Sequence, residues 1–202
     1  MLVLVRHGES TANAAGLLLG RSDVPLTELG RLQASRVPSL LGPVGLVRTS
    51  PLCRASDTAA MLGGPSSAEA DSRWIEIDYG DYEGLALSDV PPLAWERLRG
   101  DARQSFPGGE SLADVGLRVR EACEELFGED GRLARAEQDV VVVSHVSPIK
   151  AAVAWALGVG EEVAWRLHLA TGSVTRIAWG RAGPLLDSFN ELPGPRGGTG
   201  SA

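Results

Sequence analysis

The 202-residue sequence predicts a three-layer α/β/α sandwich built around a mostly parallel central sheet. Three observations carry this. Short apolar or β-branched runs alternate with amphipathic stretches along the chain. The run 139–144 (DVVVVS) is apolar at nearly every position, as a strand covered on both faces must be. Hydrophobic residues make up 44% of the chain, enough for a real core, and no internal repeat or second domain boundary interrupts it. The expectation is one domain over 1–192, followed by a flexible Gly/Pro/Ser tail at 193–202 (PGPRGGTGSA).

The elements follow in order. Residues 1–5 (MLVLV) form an apolar run ending at polar residues, the pattern of a buried strand. Thr27 is placed to N-cap a helix carrying Leu29, Leu32 and Val37 and ending before Gly42. Residues 44–49 (VGLVRT) read as a second strand. Pro51 then suits the first turn of a helix running to about Leu62. Residues 63–72 are a loop, and 74–84 (WIEIDYGDYEG) are acidic, aromatic and glycine-punctuated, hence irregular. A short helix is expected over 93–99. Ser111 and Asp114 resemble a capping box with Asp in the usual Glu or Gln position, and Leu112, Val115, Val119, Cys123 and Leu126 then share one helix face. Helices over about 148–157 and 161–167 and closing strands at 173–179 and 185–189 complete the pattern.

Composition excludes several function classes. A net charge of −7 and a pI near 5.0 argue against a nucleic-acid or acidic-membrane binder, so neither partner is expected. An anionic substrate must be drawn by a local cluster of cations. Cys53 and Cys123 are far apart, form no CxxC pair, and read as small buried hydrophobes in a reducing compartment. No stretch approaches the roughly 18 apolar residues of a membrane span, and no secretory pattern opens the chain. The expectation is a cytoplasmic protein.

The chemistry collects at strand ends. Arg6 and His7 follow the first strand, Arg54 lies in the first turns of the helix after the second, and His145 follows the VVVV strand. Open α/β sheets bind ligands at the carboxyl ends of their strands. Adjacent cation-capable side chains repel unless an anion lies between them. Two guanidiniums, two imidazoles and nearby helix N-termini describe an oxyanion site, and a phosphate is the expected anion.

At this point the chain resembles the histidine phosphatase superfamily, also called the phosphoglycerate mutase-like family. LVRHGEST-x-N at 4–13, GRSDVPLTELGRLQA at 20–34, TSPLCRASDTA at 49–59, WIEIDYGDYEG at 74–84 and VVVVSHVSPIK at 140–150 match its blocks in the family's order. The resemblance implies that His7 is the nucleophile, forming a phosphohistidine. It also implies that Arg6, Arg54 and His145 surround the phosphoryl oxygens, and that Asn13 donates its amide to the phosphate. Arginine and imidazolium would supply the positive charge, so neither metal nor cofactor is expected. One branch of the superfamily places an aspartate after the second histidine; here that position is Val146, so the acidic block must supply the proton donor. Glu76 matches the position used by the mutase-like branch, with Asp78, Asp81 and Glu83 as nearby rivals.

The resemblance also implies a small-molecule phosphomonoester as substrate. A cofactor-dependent phosphoglycerate mutase is the first alternative, but the stretch 85–110 is short and lacks the mutase pattern. A catalytically inactive phosphate-binding module is the second, though the core histidines and arginines are all kept. Leu17, Leu18, Leu19 and Trp95 suggest an apolar group beside the phosphate. The SHVSPIK form resembles broad-specificity, α-ribazole-phosphate and glucosyl-phosphoglycerate phosphatases. Lys150 is expected at a solvated helix position, His168 to be structural or exposed, and the tryptophans to be core or rim. Homodimers occur in the family, and the sequence does not choose an oligomeric state.

Overall fold

The computed structural model describes residues 1–63, 68–128 and 138–194. The predicted tail therefore lies outside the described residues from position 195 onward. At the centre is a six-stranded sheet. Strand β1 (Leu2–Arg6) pairs in parallel with β4 (Asp139–Ser144), β4 with β2 (Val44–Thr49), and β2 with the two-residue β3 (Glu69–Ala70). On the other side of β1, β5 (Val174–Gly180) and β6 (Gly183–Glu191) add an antiparallel hairpin, giving the order β3-β2-β4-β1-β5-β6.

Strand alternation divides the core into two layers. Leu2, Leu4, Val140 and Val142 pack with α5 (Leu112–Phe127) and α6 (Val146–Leu157) on one face. Val3, Val5, Val47, Val141 and Val143 pack with α3 (Cys53–Ala60) and Val37 on the other. Both faces of β1 and β4 are covered, which is why Leu2–Val5 and Val140–Val143 are apolar at every position. Each of these buried side chains contributes about 1.5–3 kcal/mol relative to exposure. The predicted α5 face is observed, with Val115, Val119, Cys123 and Leu126 wholly buried, and the Ser111–Asp114 capping box is present in both directions.

The helix expected from Thr27 to beyond Val37 is shorter than predicted. Thr27 does cap α2 (Glu28–Ala34), accepting from the Gly30 N–H, but the helix stops at Ala34 and a 3-10 turn covers Val37–Leu40. Pro38 fits this end, since it has no N–H to donate to the Ala34 carbonyl four residues back and its ring would clash there. The inward face also differs: Leu29 and Leu32 are half exposed, while Gly30 and Ala34 are buried. Gly30 meets the loop after β1 so closely that a Cβ built on Gly8 would lie 2.1 Å from the Gly30 carbonyl oxygen. Neither glycine has room for a side chain, so the R-H-G turn rests directly on α2. No helix among the described residues is long and apolar enough to cross a membrane.

Candidate active site

Sheet register brings the predicted residues together. In the parallel ladder Arg6 pairs with Ser144 and Thr49 with Val143. The next residue of each strand, His7, His145 and Ser50, therefore leaves the same edge. The ladder continues one step beyond the strands, with the His7 N–H donating to Ser144 O (3.0 Å) and the Ser50 N–H to Val143 O (2.9 Å). The two imidazoles meet edge to face, with ring centroids 4.9 Å apart.

His7 is almost wholly buried. Its Nδ1 lies 2.6 Å from the carbonyl oxygen of Gly8, which can only accept, so Nδ1 carries the proton and Nε2 keeps its lone pair. Burial, reinforced by the charges of Arg6 and Arg54, pushes its pKa well below the ordinary histidine value of 6.5. His145 is held by Ser50, whose Oγ lies 2.7 Å from Nε2, and its buried Nδ1 has no partner. Burial, then the neighbouring His7, likewise drives its pKa well down. Both shifts favour the neutral rings, so the fixed cations of the site are the guanidiniums.

Arg54 is buried in the first turn of α3. Its Nη1 and Nη2 donate to Ser22 O (2.9 Å) and Gly20 O (2.7 Å). Arg6 donates through Nη1 to Leu169 O (2.6 Å), and its Nε is buried without a partner. Neither guanidinium forms an ion pair within 4.0 Å among the described residues. Carbonyls orient both groups; burial pulls both pKa values down, and the nearby Glu76 carboxylate acts against that without a direct ion pair. The side-chain oxygen of Asn13 accepts from the Ser10 N–H (3.1 Å) and hydroxyl (3.0 Å), which leaves its amide N–H groups free. Arg6, His7, Asn13, Arg54 and Glu76 all line one cavity of about 310 Å³, whereas His145, expected beside them, is fully buried against His7 and does not line it.

Glu76 separates cleanly from its rivals. Trp74, fully buried, anchors its segment, and Ser144 donates to the Trp74 carbonyl (2.6 Å). Two residues on, the Glu76 carboxylate accepts from the N–H groups of Ile77 (2.9 Å), Val146 (3.1 Å) and Ser147 (3.1 Å). The last two are the opening N–H groups of α6, whose N-cap His145 provides no side-chain cap. Asp78 caps the Gly80 N–H, and Glu83 accepts from the N–H groups of Gly20 and Ser22. Asp78, Asp81 and Glu83 do not line the cavity. Glu83 instead shapes the loop whose carbonyls hold Arg54.

Some expectations change. Lys150 is not a solvated helix residue: it is partly buried, lines the cavity and donates from Nζ to Ala164 O (2.8 Å). The 3-10 turn Glu161–Arg166 turns it inward, which helix periodicity alone does not reveal. Leu17, Leu18, Leu19 and Trp95 line the cavity as expected, and His168 is exposed. Trp165, Phe106 and Glu110 join them without any sequence signal. Glu110 takes a bidentate pair from Arg118 (2.8 and 3.0 Å) and a contact from Arg21 (3.2 Å), whose Nε also donates to the Glu76 carbonyl (3.0 Å).

A mostly parallel sheet whose strand ends carry two buried imidazoles beside two guanidiniums defines a phosphate-handling α/β protein. The chain belongs to the histidine phosphatase superfamily (branch 1), whose family profile matches residues 2–192. A bifunctional protein of Mycobacterium tuberculosis is 34% identical over 183 residues, covering 86% of this chain and 49% of that protein, so the chain spans about half the relative's length. Phosphoserine phosphatase 1 of Hydrogenobacter thermophilus is 35% identical over 172 residues, 81% of this chain and 79% of that one. Among solved structures, a mycobacterial glucosyl-3-phosphoglycerate phosphatase complexed with VO3 superposes with a TM-score of 0.83 at 33% identity, covering 94% of this chain and 98% of the other. The predicted sandwich is the fold these proteins share.

Proposed function

We propose that this chain hydrolyses a small-molecule phosphate monoester, without a metal ion, through a phosphohistidine on His7. The single observation that carries the reading is that Arg6, Arg54 and His7 line one cavity, with His7 Nδ1 engaged by the Gly8 carbonyl so that Nε2 keeps its lone pair. Phosphatase names among the relatives support the same class.

The reaction has two displacements. His7 Nε2 attacks phosphorus, the N–P bond forms, and the P–O bond to the alcohol breaks. The phosphoryl charge meets Arg6, Arg54 and the Asn13 amide, with His145 packed edge to face on His7. Glu76 gives its proton to the departing alkoxide. Glu76 then takes a proton from water, the new O–P bond forms, the N–P bond breaks, and inorganic phosphate leaves.

The test is phosphate release from a panel of phosphomonoesters in EDTA, with His7→Ala as control. The panel includes p-nitrophenyl phosphate, phosphoserine, sugar phosphates, α-ribazole phosphate, and 3-phosphoglycerate with and without 2,3-bisphosphoglycerate. Release that depends on His7 is the expected result. Interconversion of 2- and 3-phosphoglycerate without release would make the chain a mutase. Phosphate binding without either activity would make it a binding module.

A further inference from the structure

The cavity is larger than a phosphate needs. Away from the guanidiniums it is walled by Leu18, Leu87, Trp95, Leu98, Phe106 and Trp165. The aromatic rings brace one another: Trp95 lies edge-on to Phe106 (5.4 Å between centroids) and to Trp165 (5.9 Å). On the outer side the Arg99 guanidinium sits 5.7 Å from the centre of the Trp165 ring. Rings fixed in this way form a rigid apolar wall, suited to a flat or bulky apolar group.

Two donors break the apolar surface. Lys150 spends one of its three N–H bonds on Ala164 O and forms no ion pair among the described residues. Trp165 Nε1–H, one residue beyond that carbonyl, is buried with no partner. Glu110 does not neutralise Lys150, because Arg118 and Arg21 already occupy its carboxylate. A partly buried ammonium among apolar walls is unfavourable unless an anion completes it. Burial pulls the Lys150 pKa down; the Glu76 carboxylate acts against it without forming an ion pair.

Resting on the phosphatase reading above, we propose that the leaving alcohol of the substrate is a ring-bearing apolar body carrying a carboxylate, with Lys150 reading the carboxylate and the Trp95–Phe106–Trp165 wall holding the ring. Lys150 is then a specificity-determining residue, distinct from the groups that bind the phosphoryl oxygens.

The test compares three esters, 4-carboxybenzyl phosphate, benzyl phosphate and glycerol 1-phosphate, on wild type, Lys150→Met and Lys150→Arg. Wild type is expected to prefer the carboxylated ester over benzyl phosphate tenfold or more in kcat/KM, about 1.4 kcal/mol. It is also expected to prefer benzyl over glycerol phosphate. Lys150→Met abolishes the first preference, and Lys150→Arg restores part of it. No preference in wild type, or one that survives Lys150→Met, overturns the proposal. Equal loss on both benzyl esters overturns it too, by assigning Lys150 to the phosphate. If no ester is turned over, the phosphatase reading fails separately. Calorimetric binding of the same esters to His7→Ala then still reads the preference, and equal affinities would overturn it.

Discussion

Replacing Glu76 by glutamine tests its two roles at once. The carboxylate takes three backbone N–H bonds, two on Oε1 from Ile77 and Ser147 and one on Oε2 from Val146. Glutamine offers one acceptor oxygen. With that oxygen at the Oε1 position, its NH₂ faces the Val146 N–H, and a buried donor loses its partner at a cost of about 1–3 kcal/mol. Loss of the negative charge at the N-terminus of α6 removes about 0.3–2 kcal/mol more. Urea denaturation should therefore show the variant less stable by about 1–5 kcal/mol. Kinetics carries the second signature. An alkyl phosphate needs a protonated leaving group and should slow by about 10²–10⁴-fold, whereas p-nitrophenyl phosphate, whose leaving group is stable as an anion, should slow far less. Equal slowing of both substrates would remove Glu76 as the proton donor. Unchanged stability would refute its role in capping α6.

Other expectations follow from the same geometry. His7 and His145 have folded pKa values below the unfolded value near 6.5, so the unfolded chain binds more protons as pH falls. Their contribution is complete above about pH 6.5 and is lost below it, at up to about 1.4 kcal/mol per pH unit per ring. Urea midpoints at pH 7.5 and 5.5 should fall more in wild type than in His145→Asn, and equal slopes would contradict the burial argument. Ser50→Ala leaves His145 Nε2 without its partner, so kcat/KM should drop about tenfold, near the 1.4 kcal/mol of one buried hydrogen bond. The ratio of alkyl to nitrophenyl rates should stay the same, since Ser50 touches His145 and not the proposed proton donor; a changed ratio would count against that role. Trp74→Ala empties a fully buried site and should cost about 3–5 kcal/mol by calorimetric melting, with a loss under about 1 kcal/mol showing that the Glu76 segment is anchored elsewhere.

Much of this architecture was legible because its signals are local. The β-branched run of β4 and the apolar run of β1 require two-sided burial, and the Ser111–Asp114 pair marks the start of α5. Arg6, His7, Arg54, Glu76 and His145 were readable because each sits in a strand-end or acidic block of the family pattern, and the structure gathers them at one sheet edge. What was missed depends on distant packing. The exposed residues of β3 carry no strand pattern, and only their pairing with β2 makes them one. The inward face of α2 depends on the backbone contact between Gly8 and Gly30, so apolar spacing pointed to Leu29 and Leu32 instead. Ser50 reads as part of a turn until the β2–β4 register sets it beside His145. The inward placement of Lys150 comes from Ala164, fourteen residues along the chain.

The central claim is that His7 itself carries the phosphoryl group. Wild-type protein mixed with p-nitrophenyl phosphate and quenched within milliseconds into alkali, followed by peptide mass spectrometry, tests it directly. The account predicts one phosphoryl group on the peptide containing His7, stable in alkali, lost in acid, and absent from His7→Ala. A phosphoryl group on any other residue, or phosphoenzyme persisting in His7→Ala, would contradict it.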